Sequence, residues 1–195
     1  MSGLYNAGYL GICRMYARHF VKDKPADIVM RGLCGLHFRK VHGYWPHFKS
    51  PRSLSEITWN RMLFDRNPRL TMLSDKWRVR DYVAGRVGNE YLIPLLWNGD
   101  KPEQIPFNDL PLKFVIKTNH GCGYNLMVTD KTQLDLTKTR RQLRKWLREN
   151  FCQDKFLGME WGYRNIRPTI IVESLLDDQG KTPLDYKFFC YSGRA

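Results

Sequence analysis

The sequence predicts an α+β fold, an N-terminal helical region followed by short strands with an antiparallel component and one long helix. Three observations carry this. Apolar residues recur at helical spacing up to about Val87, short β-branched and apolar runs bounded by glycine or proline take over after Gly88, and no repeat or low-complexity segment intervenes. The 195 residues are 43% hydrophobic and 13% aromatic, enough apolar material for a packed core.

Residues 4–20 and 25–41 read as two helices joined by the polar stretch 22–24. Pro25 suits a first helical turn, where its missing N–H costs nothing. Residues 42–51 (HGYWPHFKSP) carry two prolines and read as an irregular link. Ser53, with Glu56 three residues on, has the capping-box arrangement and opens a helix to about Asp65. Residues 75–87 make a further helix with Trp77, Val79, Tyr82 and Val83 on its apolar face. Residues 91–97 read as a strand containing Pro94. Residues 113–118 and 125–129 read as two strands flanking a glycine-containing turn. Residues 134–150 form a basic helix with Leu143, Trp146 and Leu147 at helical spacing and a solvated charged face. Residues 169–173 (TIIVE) are the clearest strand in the chain, and 186–191 (YKFFCY) read as the last.

The chain carries 32 Lys and Arg against 19 Asp and Glu, a net charge of +13, with a pI near 9.7. Eleven basic and four acidic residues lie up to Arg66, against 21 and 15 beyond it, so the excess is denser near the N-terminus. Such a charge favours an anionic partner, whether nucleic acid, phosphate ligand or membrane surface. No five basic residues are consecutive and no nucleic-acid-binding motif is present, which ranks nucleic acid last. Five cysteines at irregular spacing, with no CxxC pair, argue against a disulfide framework and for a reducing cytoplasm. No apolar run reaches the roughly 18–20 residues of a membrane span. Residues 4–12 are mildly apolar, and Arg14, Arg18, Lys22 and Lys24 follow them, which allows peripheral contact with an anionic membrane at its inner face.

The segment 114–125 (FVIKTNHGCGYN) is the strongest local signal. A strand delivers Lys117, and Gly121 and Gly123 then flank Cys122. Glycines let backbone amides approach phosphate oxygens, and a lysine beside them supplies charge. An ordinary hairpin turn needing positive φ explains the glycines equally well. Glu173 ends a strand expected to be buried, so its carboxylate needs a partner, a cleft or solvent. Cys34, His37, His42 and His47, at spacings of 3, 5 and 5, are too loosely placed for a structural zinc site. Cys122 has no neighbouring base to make it a nucleophile.

Five segments together carry a family resemblance: 51–83 (PRSLSEITWNRMLFDRNPRLTMLSDKWRVRDYV), 90–100 (EYLIPLLWNGD), 110–125 (LPLKFVIKTNHGCGYN), 167–176 (RPTIIVESLL) and 185–194 (DYKFFCYSGR). In this order they resemble the TupA-like branch of the ATP-grasp superfamily, which is linked to teichuronopeptide and other cell-surface polysaccharide synthesis. The resemblance covers about three quarters of the chain. It divides the sequence into the helical region 1–50, an N-terminal or linking part of the ATP-grasp fold at 51–110, and an incomplete nucleotide-binding part at 111–195.

The resemblance implies ATP as ligand and assigns roles. Lys76 and Lys117 look like the two lysines directed at the phosphates, and Gly121 and Gly123 like the loop that folds over them. Residues 173–176 look like the segment that holds adenine, with Glu173 supporting it, the Ser174 carbonyl accepting from the exocyclic amine and the Leu176 N–H donating to a ring nitrogen. Lys187 looks like the strand cation facing the phosphates. The implied chemistry is ATP-dependent activation of a carboxylate as an acyl phosphate, with magnesium, on an acidic sugar or amino-acid acceptor. The magnesium-binding carboxylates and asparagine of the family follow the DYKFF-like strand, whereas this sequence stops at Ala195, and Asp177 and Asp178 do not match them. The expectation is therefore an incomplete active site that does not turn over ATP alone, and the enzyme assignment stays open. Glycosyl transfer in polysaccharide assembly and a basic nucleic-acid-binding or scaffold protein are the competing readings.

Overall fold

A computed structural model describes residues 2–21, 26–154, 159–176, 183–184, 186–188 and 190. Helix α1 (Ser2–Tyr16) runs into a π-helical turn at Ala17–Val21, and α2 (Ile28–His42) follows. Helix α2 starts three residues later than Pro25 because Asp27 caps it: its Oδ1 accepts from the Met30 N–H at 2.9 Å. Pro25 and the expected link at 22–24 lie outside the described residues. Gly43, at φ 84°, closes α2 in the left-handed region, its N–H on the Arg39 carbonyl.

The irregular link and α3 (Leu54–Phe64) are organised by the capping box that the sequence predicts. Ser53 Oγ accepts from the Glu56 N–H at 3.2 Å, and the buried Glu56 carboxylate accepts in return from Ser53 N–H. The same carboxylate takes the amides of His47 at 2.9 Å and Arg52 at 2.5 Å. Phe38, fully buried, meets the rings of Phe48 and Trp59 edge-on, and with Cys13, Met30, Cys34 and Leu63 they form the first of two cores.

Two short helices follow, α4 (Arg69–Ser74) and α5 (Arg78–Val87), where the sequence predicts one helix from Asp75. Asp75 instead sits between them, its Oδ1 accepting from the amides of Trp77 (2.9 Å) and Arg78 (3.2 Å). Strand β1 (Leu95–Gly99) begins only after Pro94, which has no N–H for a ladder, so the expected strand at 91–97 is displaced toward the C-terminus. Strands β2 (Phe114–Thr118) and β3 (Asn125–Val128), the basic helix α6 (Leu136–Arg148) and β4 (Ile170–Ser174) stand close to where the sequence puts them. A single turn, α7 (Phe151–Asp154), follows α6. Among the described residues of 186–191 no strand is present, and the rest of that expected strand lies outside them.

The four strands form one sheet in the order β1-β4-β2-β3, antiparallel throughout. Alternation divides its faces. Phe114, Ile116, Ile170 and Val172 point to one side, where Leu143 of α6 seals the second core. Val115, Lys117, Ile171 and Glu173 therefore belong to the opposite face. On that face Asn98, Ile171, Lys117 and Asn125 are paired strand to strand and form one row across the sheet.

Candidate functional site

Strand β4 lies in the middle of the sheet, so its penultimate residue is buried whatever its chemistry, and Glu173 is 4% exposed. The carboxylate is held by two cations. Arg80 of α5 donates to Oε1 at 2.7 Å and, through its other terminal nitrogen, to the Ile93 carbonyl at 2.8 Å. The Lys117 ammonium pairs with Oε2. Val115 is the residue directly opposite Glu173 and Lys117 lies one step diagonally, a distance that a lysine stem spans. Of the alternatives open for Glu173 in the sequence, the structure realises the buried and paired one. The sequence carries no local signal for Arg80; the need of a buried Glu173 for a counter-ion is the one pointer to it.

At the far end of β2 the chain turns through residues 119–124. The Asn119 side chain joins three elements there. Its amide donates to Asp75 Oδ1 at 2.9 Å and to the Arg167 carbonyl at 3.0 Å, and its oxygen accepts from the Thr169 N–H at 2.7 Å. The Asn119 carbonyl accepts from the Lys76 N–H. Lys76 is thereby fixed beside the turn, and its ammonium donates to the Gly121 carbonyl. Burial holds this ammonium below the ordinary lysine range; neighbouring Cys122 and Asp75 oppose that shift, and the charge of Lys117 adds to it. The two lysines thus share one electrostatic environment at the end of β2.

The glycines have separate reasons. A Cβ on Gly121 would stand 2.6 Å from the Tyr124 ring and 2.8 Å from Phe151. Gly123 has φ of 75°. The turn is also tied down behind: His120 Nε2 donates to the carbonyls of Trp146 (3.0 Å) and Glu149 (3.1 Å), and Tyr124 donates its hydroxyl to Glu149. Burial holds His120 below, and Tyr124 above, their ordinary ranges.

The remaining expected residues are placed less closely. Ser174 donates its N–H to the Pro94 carbonyl at 3.0 Å, Leu176 is exposed just past the strand, and Lys187 is exposed outside any strand. A polar cleft of about 320 Å³ is lined by Asp75, Trp77, Arg78, Asn98, Arg167 and Thr169 among others. Among the described residues no three His, Cys, Asp or Glu side chains gather at a possible metal position. Cys34 is buried in the first core, His37 stacks with Tyr9 and Trp59, and His47 faces Glu56. Asp75 and Glu173, the carboxylates nearest the lysines, are both committed to other partners, so the described residues do not fit a magnesium site.

A family model described as TupA-like ATPgrasp matches residues 55–195, from the first turn of α3 onward. Neither the curated proteins nor the solved structures yield a match.

Proposed function

Because the chain belongs to the TupA-like ATP-grasp family, we propose that it binds ATP on the face of the sheet that carries Lys117. One observation supports this above the others: two lysines from distant parts of the sequence stand on one strand-and-turn unit, Lys117 within β2 and Lys76 with its ammonium on the Gly121 carbonyl of the turn that follows. Phosphate oxygens meeting both ammonium groups would oppose the downward shift at Lys76 and give each lysine a charge-assisted hydrogen bond. The backbone of Ser174 and Leu176 then takes the adenine, Gly121 and Gly123 belong to the loop over the phosphates, and Lys187 adds a third cation. The family chemistry that this binding would serve is transfer of the γ-phosphoryl group to an acceptor carboxylate, followed by attack of a nucleophile on the acyl phosphate, in the assembly of a cell-surface polysaccharide. The described residues offer no magnesium position for it, so binding without turnover is what we expect of this chain alone. The acceptor we expect is an acidic sugar or amino acid; the polar cleft carries Arg78 and Arg167, which such an acid would have to draw from Asp75 and Asp100. Magnesium belongs to the family chemistry, but no step here is routed through it.

Calorimetric titration with ATP tests the reading. The wild type binds, and Lys76→Met and Lys117→Met each weaken binding roughly tenfold or more, the equivalent of one lost charge-assisted contact. Unchanged affinity in both variants, or no binding by the folded wild type at millimolar ATP, sinks it. Magnesium-dependent ADP release by the purified protein, with or without an added uronic acid or amino acid, would overturn the expectation of no turnover.

The helical region adds a location. Ile12, Met15 and Phe20 of the first helical stretch and Ile28, Val29 and Leu36 of α2 are exposed, with Arg18 and Arg39 exposed among them. This mixture suits peripheral contact with an anionic membrane. No helix among the described residues is long and apolar enough to cross one.

A further inference from the structure

We infer that Arg80 is a positioning residue of the nucleotide site: it is the standing counter-ion of Glu173, and it thereby allows Lys117 to leave that carboxylate for a phosphate. The inference rests on the reading of Lys117 as a phosphate ligand, and it adds a residue that contacts no nucleotide.

Two cations on one buried carboxylate are more than neutralisation requires. Their attachments differ. Arg80 is 14% exposed in its side chain and is fixed at both ends of its guanidinium, to Glu173 Oε1 at 2.7 Å and to the Ile93 carbonyl at 2.8 Å. Lys117 is 23% exposed. Its ammonium meets Oε2 at the end of a flexible four-carbon stem. If Lys117 were the only partner, its departure would strand a buried charge, which is strongly unfavourable. With Arg80 in place the carboxylate stays paired when Lys117 turns away. Nucleotide binding therefore exchanges one anion for another at Lys117 and leaves the interior neutral.

The decisive measurement is a double-mutant cycle on ATP affinity, with tripolyphosphate as a base-free probe. Arg80→Gln leaves Lys117 as the sole counter-ion of Glu173 and is expected to weaken both ligands by about tenfold or more. Glu173→Gln removes the competitor; because Glu173 also supports the adenine segment, its effect is read with tripolyphosphate, whose affinity it is expected to raise. The double variant R80Q/E173Q recovers to within about threefold of E173Q alone, a strong coupling between the two sites. In a Lys117→Met background, R80Q has no further effect on affinity. A merely structural Arg80 would give the opposite result, with the double variant as weak as R80Q, and that result overturns the inference, as does wild-type affinity in folded R80Q. If R80Q does not fold by circular dichroism, R80K takes its place, with a smaller loss that E173Q again restores. Wild-type protein that binds neither probe removes the nucleotide reading, and this inference with it; binding by the wild type together with a failed cycle removes this inference alone.

Discussion

Glu56 is 1% exposed and yet ionised, because the backbone amides of Arg52 and His47 point at it, with the His47 ring and Ser53 assisting. These bonds outweigh the effect of burial and pull its carboxyl down to about 2, from an ordinary 4.5. A depressed folded value means that the stabilisation is complete above 4.5 and is lost as pH falls toward 2. Glu56→Gln should therefore lower the urea midpoint at neutral pH, and the gap to wild type should narrow across that acid window. A constant gap would contradict it. Gly121→Ala drives a methyl into Tyr124 and Phe151 and should cost about 1–3 kcal/mol in thermal melts. Gly123→Ala should cost about 1–2 kcal/mol for its left-handed backbone. The sequence shows that these glycines matter; it does not show that one is needed for close packing and the other for φ, because Phe151 reaches Gly121 only through the tertiary fold.

At the level of elements, local chemistry that completes itself within a few residues was legible. The capping box of α3 and the strands β2, β3 and β4 follow from short patterns. Ser53→Ala should destabilise the protein by about 1 kcal/mol through its exposed amides. Elements whose limits depend on distant partners were not legible. Asp75 looks like the start of a helix, but Asn119, 44 residues away, holds it as a junction between α4 and α5. Arg80 lies 93 residues from Glu173, and no local pattern announces that pairing. The displaced β1 has a local cause, Pro94, which marks where the ladder begins and does not merely weaken a strand across it.

For the whole molecule, composition predicts an anionic partner but says nothing of where the charge lies. Lys76 is tied to the Gly121 carbonyl and Lys117 to Glu173, while Arg18 and Arg39 stay exposed on the helical region with exposed apolar neighbours. Sedimentation with phosphatidylglycerol vesicles should recover the protein, phosphatidylcholine vesicles should not, and added salt should release it. Ile12→Ser with Phe20→Ser should abolish recovery without changing ATP affinity, since both lie outside the nucleotide site. The attachment of His120 to the last carbonyls of α6 has a mechanical consequence. The turn that carries Gly121 cannot lift or settle without loading the end of that helix, so loop and helix terminus behave as a single lever. Slowed amide exchange near Trp146 on ATP binding would then report loop closure at a place the nucleotide never reaches.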